Sequence, residues 1–515
     1  MSELIRLFSS FCPFFERCLV LRRSPADDVG LPGFEPRMTG PESVVLPLHH
    51  SPMLVCECKS RTYFLNRKEK CEKFVYLLKY FSILPKNLID MNVKLRLTAM
   101  NFLQYAVWGS YLTSMGTYLA GIGLGAQIGI FYAVQGIVSL FMPALVGIVA
   151  DKWIEAQKVL GGCHLLAAAF MAAAGYYAIS AEQVEFATLF TLYTLSVAFY
   201  MPTIALSNSV AYSALEGAGL DTVKAFPPIR VWGTVGFICA MWCCDIAGFQ
   251  SNAYQFLQCA ALGLILGLYS MTLPKCSVNK TSGATDIAEA LGLKAFALFK
   301  QKKMAIFFIF SMLLGVSLQI TNGFANPFIT DFGKIPEFAD TFGAQHANIL
   351  ISLSQVSETL CILLIPFCLK RFGIKNVMLM SMFAWVLRFG FFGVGNPGSG
   401  VWLFILSMIV YGVAFDFFNV SGSLFVNNET DEKIRSSAQG LFMMMTNGVG
   451  ATIGTLGAQA VVNKFVYNGS QGVEMMEGWS TTWLIFAAYA LVVAIVFALV
   501  FKYKHNPEQM ANVKH

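Results

Sequence analysis

From Thr98 onward the chain is a succession of long apolar stretches separated by short polar ones. They run over 98–121, 127–150, 157–180, 184–206, 227–248 and 253–273. Past a polar gap, six more run over 304–328, 346–368, 375–395, 400–426, 436–463 and 479–502. Each comes near the ~20 residues that a helix needs to cross the hydrocarbon core of a bilayer. The pattern predicts an all-α membrane protein with twelve transmembrane helices in two six-helix halves, 91–273 and 304–503. A cytosolic linker at 274–303 joins them, and a cytosolic tail follows at 504–515.

The placement of Lys and Arg tests this count. With the first helix starting in the cytosol, the inner loops hold Lys152, Lys158 and Lys224. They also hold Lys275, Lys280, Lys294, Lys300, Lys302 and Lys303 of the linker, then Lys370, Arg371, Lys375, Lys433 and Arg435. The outer loops near 122–126, 181–183, 249–252 and 396–399 hold none, and the two longer ones contribute only Lys334 and Lys464. Basic residues concentrate on the cytosolic side of membrane proteins, so both termini are expected there. Moving the helix count by one would destroy the asymmetry.

Composition agrees. Of 515 residues, 56% are apolar and 13% charged, against roughly 25% charged in a soluble domain. The net charge of +6 therefore reports topology, and no nucleic-acid partner is expected. Residues 1–90 are different, rich in proline and charge, with no signal-peptide core. The run from Val29 to Ser51 resembles the peptide obtained when a transfer-RNA gene and its flank are read as protein. Residues 1–90 are accordingly read as a mis-assigned start, with a disordered cytosolic tail as the alternative. Cys56, Cys58, Cys71, His49 and His50 fit no structural zinc spacing. No metal or cofactor is expected.

An ionisable side chain inside a spanning helix is costly unless it meets partners or water, which makes each one a candidate for function. Glu358 and Asp416 fall midway along the eighth and tenth stretches. Arg230 falls at the start of the fifth and is expected in its first turn. Asp245 and Arg388 lie toward outer ends and are read as structural. Helical spacing puts Gln355 on the face of Glu358, Gln319 on that of Asn322, and Tyr411 on that of Phe415. Amides, carboxylates and flat rings suit a solute combining hydroxyls with a planar group. The same amides also serve as glue between membrane helices, and the rings as packing. A carboxylate in a poorly hydrated cavity holds or loses its proton according to the charges beside it. Asp416 with Arg230 is the expected coupling pair, and Glu358 the next candidate. His164 and His346 have no acid or cysteine at ligand spacing, and no nucleophile–base set marks an enzyme.

The loop Gly147-Ile-Val-Ala-Asp151-Lys152-Trp153 resembles the Gly-x-x-x-Asp-Arg/Lys signature of the major facilitator superfamily, and 369–375 is a degenerate echo without the acid. More specifically, Met91 to Trp153, the segment Phe226-Pro-Pro-Ile-Arg230-Val-Trp-Gly-Thr234-Val-Gly-Phe237, Ala295 to Asn322, Tyr411 to Asn419 and Ser437 to Gly448 resemble the bacterial nucleoside:proton symporters of that superfamily. The resemblance implies uptake of purine and pyrimidine nucleosides with protons across the inner membrane, by a protein that works as a monomer. It also implies a substrate site between the halves. Arg230, Thr234, Phe237, Gln319, Asn322, Gln355, Glu358, Tyr411, Phe415 and Asp416 would form that site. A sugar or oligosaccharide symporter of the same fold is the alternative.

Overall fold

A computed structural model describes residues 93–276 and 293–503. The leader, most of the linker and the tail lie outside the described residues. The first half contains α1 (Val93–Gly109), α2 (Met115–Gly121), α3 (Ile128–Ser139), α4 (Met142–Lys152), α5 (Ala156–Ser180), α6 (Phe186–Gly217), α7 (Thr222–Ile246) and α8 (Tyr254–Ser270). The second contains α9 (Lys302–Asp331), α10 (Phe342–Gln345), α11 (Ala347–Cys361), α12 (Ile365–Val394), α13 (Val401–Glu429), α14 (Glu432–Met443), α15 (Ala451–Phe465) and α16 (Gly472–Val500). Among the described residues there is no strand. With no water in the hydrocarbon to satisfy peptide groups, this is one of the two ways a chain can span it.

Seven helical runs are long and apolar enough to cross a membrane, or eight if a bent pair counts as one. One of the seven, Ala347–Val394, has 48 residues. At 1.5 Å per residue it would reach about 72 Å, more than twice the bilayer core. It is broken at Gly373, whose φ of 76° lies in the left-handed region that only glycine enters without strain. The bent pair is α3 and α4, at 41°. Pro143 sits in the first turn of α4, and a prolyl ring cannot continue the preceding helix's hydrogen bonding. The first pass is interrupted between α1 and α2, where the Tyr132 hydroxyl donates to the Leu112 carbonyl at 2.5 Å and Ser110 Oγ to Ala106 O at 2.8 Å. Between α14 and α15, Met444–Gly450 winds as a π-helix, a form concentrated at functional sites.

Most expected stretches match these helices to within a few residues. Two differ in ways that matter. The α6 helix continues to Gly217, and α7 begins at Thr222, so Arg230 lies inside the helix and not in its first turn. The Pro227-Pro228 pair is therefore interior, its φ being compatible with the helix that contains it.

One large apolar core runs through both halves, and a second, smaller one belongs to the first half alone. In the first half, α7 and α8 pack on α1, and α8 and α6 on α5; in the second, α13 and α16 pack on α12, and α15 on α9. Glycines set the spacing within each half. A methyl on Gly236 would overlap the Phe102 carbonyl oxygen, and one on Gly315 that of Thr446. Small residues permit this closeness, and in lipid close packing replaces the hydrophobic drive between helices. The second half adds an aromatic cluster in which Phe328 meets Phe392, Phe404, Trp479 and Trp483 at 5.5–5.8 Å. Gly236→Val is expected to force α1 and α7 apart and lower stability by at least about 1–3 kcal/mol. Thermal unfolding in detergent checks it, with Gly162→Ala as control because no atom lies within 4 Å of a methyl there.

Candidate functional site

The halves meet along α2, α3 and α7 on one side and α9, α11, α15 and the Met444–Gly450 π-helix on the other. Most of their hydrogen bonds, among the described residues, fall toward one end of the bundle, while Thr452 Oγ1 reaches Ala133 O nearer mid-span at 3.5 Å. Thr113 Oγ1 donates to Asn348 Oδ1 at 2.9 Å, and Trp242 Nε1 to Ser352 Oγ at 2.8 Å. Gln459 accepts from Gly129 N at 2.5 Å and donates to Gly125 O at 3.0 Å. Gln250 Nε2 donates to Gln345 O at 2.7 Å, and Thr117 to Asn326. Gly125, Gln250 and Gln345 belong to connections read as outer in the sequence, and Gly129 and Asn348 start the helices beside them.

The strongest junction there joins two residues that sequence spacing did not pair. Asp245, at the end of α7, lies 2.5 Å from His346 Nδ1, and its other oxygen accepts from the amides of Asn348 at 3.1 Å and Ile349 at 3.4 Å. It is thus a carboxylate at the N-terminus of α11, where unpaired N–H groups and the helix dipole both favour an anion. Asp245 is structural, as read, but its structure is a clasp between halves. With 101 residues between the partners, no local pattern could have revealed it.

Deeper in the interface lies a narrow cleft lined by Thr113, Thr321, Asn322, Asn326, Ile351, Ser354, Gln355, Arg388 and Tyr411. Three of the expected site residues, Asn322, Gln355 and Tyr411, meet here. Gln319 is tied to them, since Asn322 Nδ2 donates to its Oε1 at 3.1 Å. Phe415 is tied through Tyr411, the rings being nearly parallel (7°) with centroids 5.8 Å apart. Gln355 Oε1 is buried without a hydrogen-bond partner.

The three expected coupling residues form an adjoining cluster. Arg230 interacts electrostatically with both Glu358 and Asp416, and these two with each other. No ion pair within 4.0 Å links Arg230 to either acid. Its guanidinium instead lies over the Tyr105 ring, 4.0 Å from the centroid, an attraction of about 0.5–2 kcal/mol. Asp416 is 5% exposed with Oδ2 lacking a partner. Tyr105 and Tyr411 are both electrostatic neighbours of Glu358. Thr234 and Phe237 continue the Arg230 face at i+4 and i+7. Phe237 is buried edge-on to Trp108 at 6.4 Å, and neither residue lines the cleft. Arg388, read as structural, does line it.

Two helical halves meeting around buried ionisable groups, closed at one end, define a secondary transporter of the major facilitator type. The chain belongs to the nucleoside H+ symporter family, whose pattern it matches over residues 91–506. It is 49% identical over 428 residues to the xanthosine permease of Escherichia coli (strain K12), covering 82% of this chain and 99% of that one. It is 50% identical over 421 residues to nucleoside permease NupG of the same strain, covering 81% and 97%. The crystal structure of nucleoside transporter NupG matches with a TM-score of 0.73 at 48% identity, over 80% of this chain and 100% of that one.

Asp245→Ala removes the acceptor for two amides and the histidine's partner together. Leaving buried donors unpaired costs about 1–3 kcal/mol, or roughly 5- to 150-fold in an opening equilibrium. Amide exchange over 346–352 is expected to accelerate within that range by mass spectrometry, while exchange in the Val377–Ser381 core is unchanged.

Proposed function

We propose that this protein imports purine and pyrimidine nucleosides together with protons by alternating access, with Asp416 and Arg230 as the coupling pair. The observation that carries the reading is the Arg230–Glu358–Asp416 cluster. One guanidinium from the first half and two carboxylates from the second lie within electrostatic reach, unlocked by any close ion pair. Protonating Asp416 removes one of the two negative charges attracting Arg230 toward the second half. The contact loosens, and the halves are released to rock. Two acids beside one cation leave an uncompensated charge that a proton can neutralise. Glu358 supplies the second acceptor, able to take a ribose hydroxyl.

Gln319, Asn322 and Gln355 bring donors and acceptors for ribose and base edges, and the Tyr411–Phe415 stack offers a flat apolar face; stacking contributes about 1–3 kcal/mol per base. The breaks described above support a count of twelve passes. Cutting Ala347–Val394 at Gly373 makes two, α3–α4 and α1–α2 are bent or interrupted passes, α8 is a short one, and α14–α15 is joined through the π-helix. Lys152, Lys158, Lys224, Lys302, Lys303, Lys370, Arg371 and Lys375 lie at the end away from the inter-half hydrogen bonds. With that basic end cytosolic, the described conformation is closed outside, and the transporter sits in the inner membrane with both termini in the cytosol. One chain holds the whole site, so the working unit is a monomer.

Proteoliposomes carrying the full chain are expected to accumulate labelled uridine and adenosine under an inward proton gradient, and to lose the accumulation with a protonophore. Asp416→Asn is expected to abolish concentration of substrate, leaving equal levels inside and out. Accumulation driven equally well by sodium would overturn the proton coupling, and normal concentration by the variant would move that role to Glu358.

A further inference from the structure

Arg388 is the group in the cleft that the coupling cluster leaves unexplained. It is 1% exposed, and a guanidinium at such depth costs several kcal/mol unless its charge and donors are met. No carboxylate stands within 4.0 Å of it among the described residues. Every hydrogen bond it donates leaves from Nη1, to Ser407 O at 2.7 Å, Ser354 Oγ at 3.3 Å and Met408 Sδ at 3.8 Å. Nε is buried without a partner, and Nη2 donates none of these bonds. The Nε–Nη2 edge of the fork, which in other proteins grips an acceptor with two parallel N–H groups, is therefore vacant. The guanidinium is held flat by aromatic neighbours, 4.5 Å from the centroid of Tyr411 and 5.3 Å from that of Phe392. It lines the cleft together with Asn322, Gln355 and Tyr411.

We propose that Arg388 is a specificity-determining residue, presenting its vacant edge to the 4-oxo group of a pyrimidine or the 6-oxo group of a purine nucleobase, so that the site favours these oxo-bases over the amino-base of adenosine. The proposal rests on the nucleoside reading given above. The chemistry singles out a carbonyl. An arginine offers donors only and needs an acceptor that offers nothing but lone pairs. Ribose hydroxyls are both donor and acceptor, and the cleft already holds amides of matching character in Asn322 and Gln355. A phosphate would bring two negative charges into a cleft with one lining cation, beside Glu358 and Asp416. Uracil and hypoxanthine present a carbonyl at the ring edge, whereas adenine presents an amino group, whose N–H would face N–H.

The test is a cycle in proteoliposomes, pairing removal of the arginine edge with removal of the carbonyl. Competition against labelled uridine is measured for uridine and inosine, for their hydrogen-for-oxo analogues zebularine and purine riboside, and for adenosine. In the native protein each analogue is expected to compete at least about tenfold more weakly than its oxo parent, the scale of a lost hydrogen bond to a charged group. In Arg388→Gln and Arg388→Lys the gap is expected to collapse to within about threefold, with adenosine little changed. A gap that persists in the variants, or oxo and deoxo ligands falling together, overturns the proposal and leaves Arg388 as a bolt between α12 and α13. If both variants fail to fold, the native ligand series decides alone: equal competition by uridine and zebularine, and by inosine and purine riboside, overturns the proposal. Absence of any nucleoside uptake by the native protein would instead defeat the functional reading itself.

Discussion

One guanidinium from the first half faces two carboxylates of the second within the span of the helices, and only Asp416 of the three is fully buried. A charge in hydrocarbon is tolerated only where protein or cavity water takes the place of bulk solvent. Arg230 satisfies part of that need with the face of Tyr105, a residue of its own half. Its remaining electrostatic demand is directed across the interface to Glu358 and Asp416. That division is what makes the cluster useful. A close bidentate pair would fix the halves together, while a separated one, on the coupling proposed above, leaves a force that a single proton can change.

Around this cluster, close packing and polar contact both join the helices. Glycine meets carbonyl within a half, as Gly236 does with Phe102, and also between halves, as Gly116 does with Gly323 and Gly136 with Gly448. The polar contacts between halves are amides, hydroxyls and one aspartate, and these groups bond as readily to water as to each other. The net worth of such a bond is only about 0.5–1.5 kcal/mol, which suits an interface that must open and close repeatedly. The Asp245 clasp belongs to this second kind, although its anion at a helix terminus makes it the firmest of the set.

Much of the fold was legible in the chain because lipid imposes a simple code of apolar length and basic flank. The stretch 157–180 is α5 almost residue for residue. What the code misses is breakage. A broken pass stays apolar, so the π-helix after Met443 and the interruption at Ser110–Ser114 leave no mark on hydropathy. That Asn322, Gln355 and Tyr411 line one cleft was legible because helical spacing aligned each with another unusual residue. The place of Arg388 in the same cleft was not, because its position toward one end of its stretch gave no sign that Phe392 and Tyr411 fold over it. Arg230 was placed in a first turn because the apolar stretch begins at 227, whereas the helix itself begins earlier, at the polar residue Thr222. His346 and Asp245 had no chance of being paired, because the contact exists only once two separate halves have folded and met.

The hydrogen bonds gathered at one end of the bundle carry a thermodynamic corollary. When that end opens, the Asp245 carboxylate, the first amides of α11, the Gln459 side chain and the backbone around Gly125–Gly129 must all be hydrated. The two conformations therefore differ in the number of bound water molecules as well as in shape. Water behaves as a ligand of the open form, and by mass action an osmotically concentrated medium, which lowers the activity of water, biases the protein toward closure at this end. The solvent is thus a third participant in the cycle, alongside the proton and the solute.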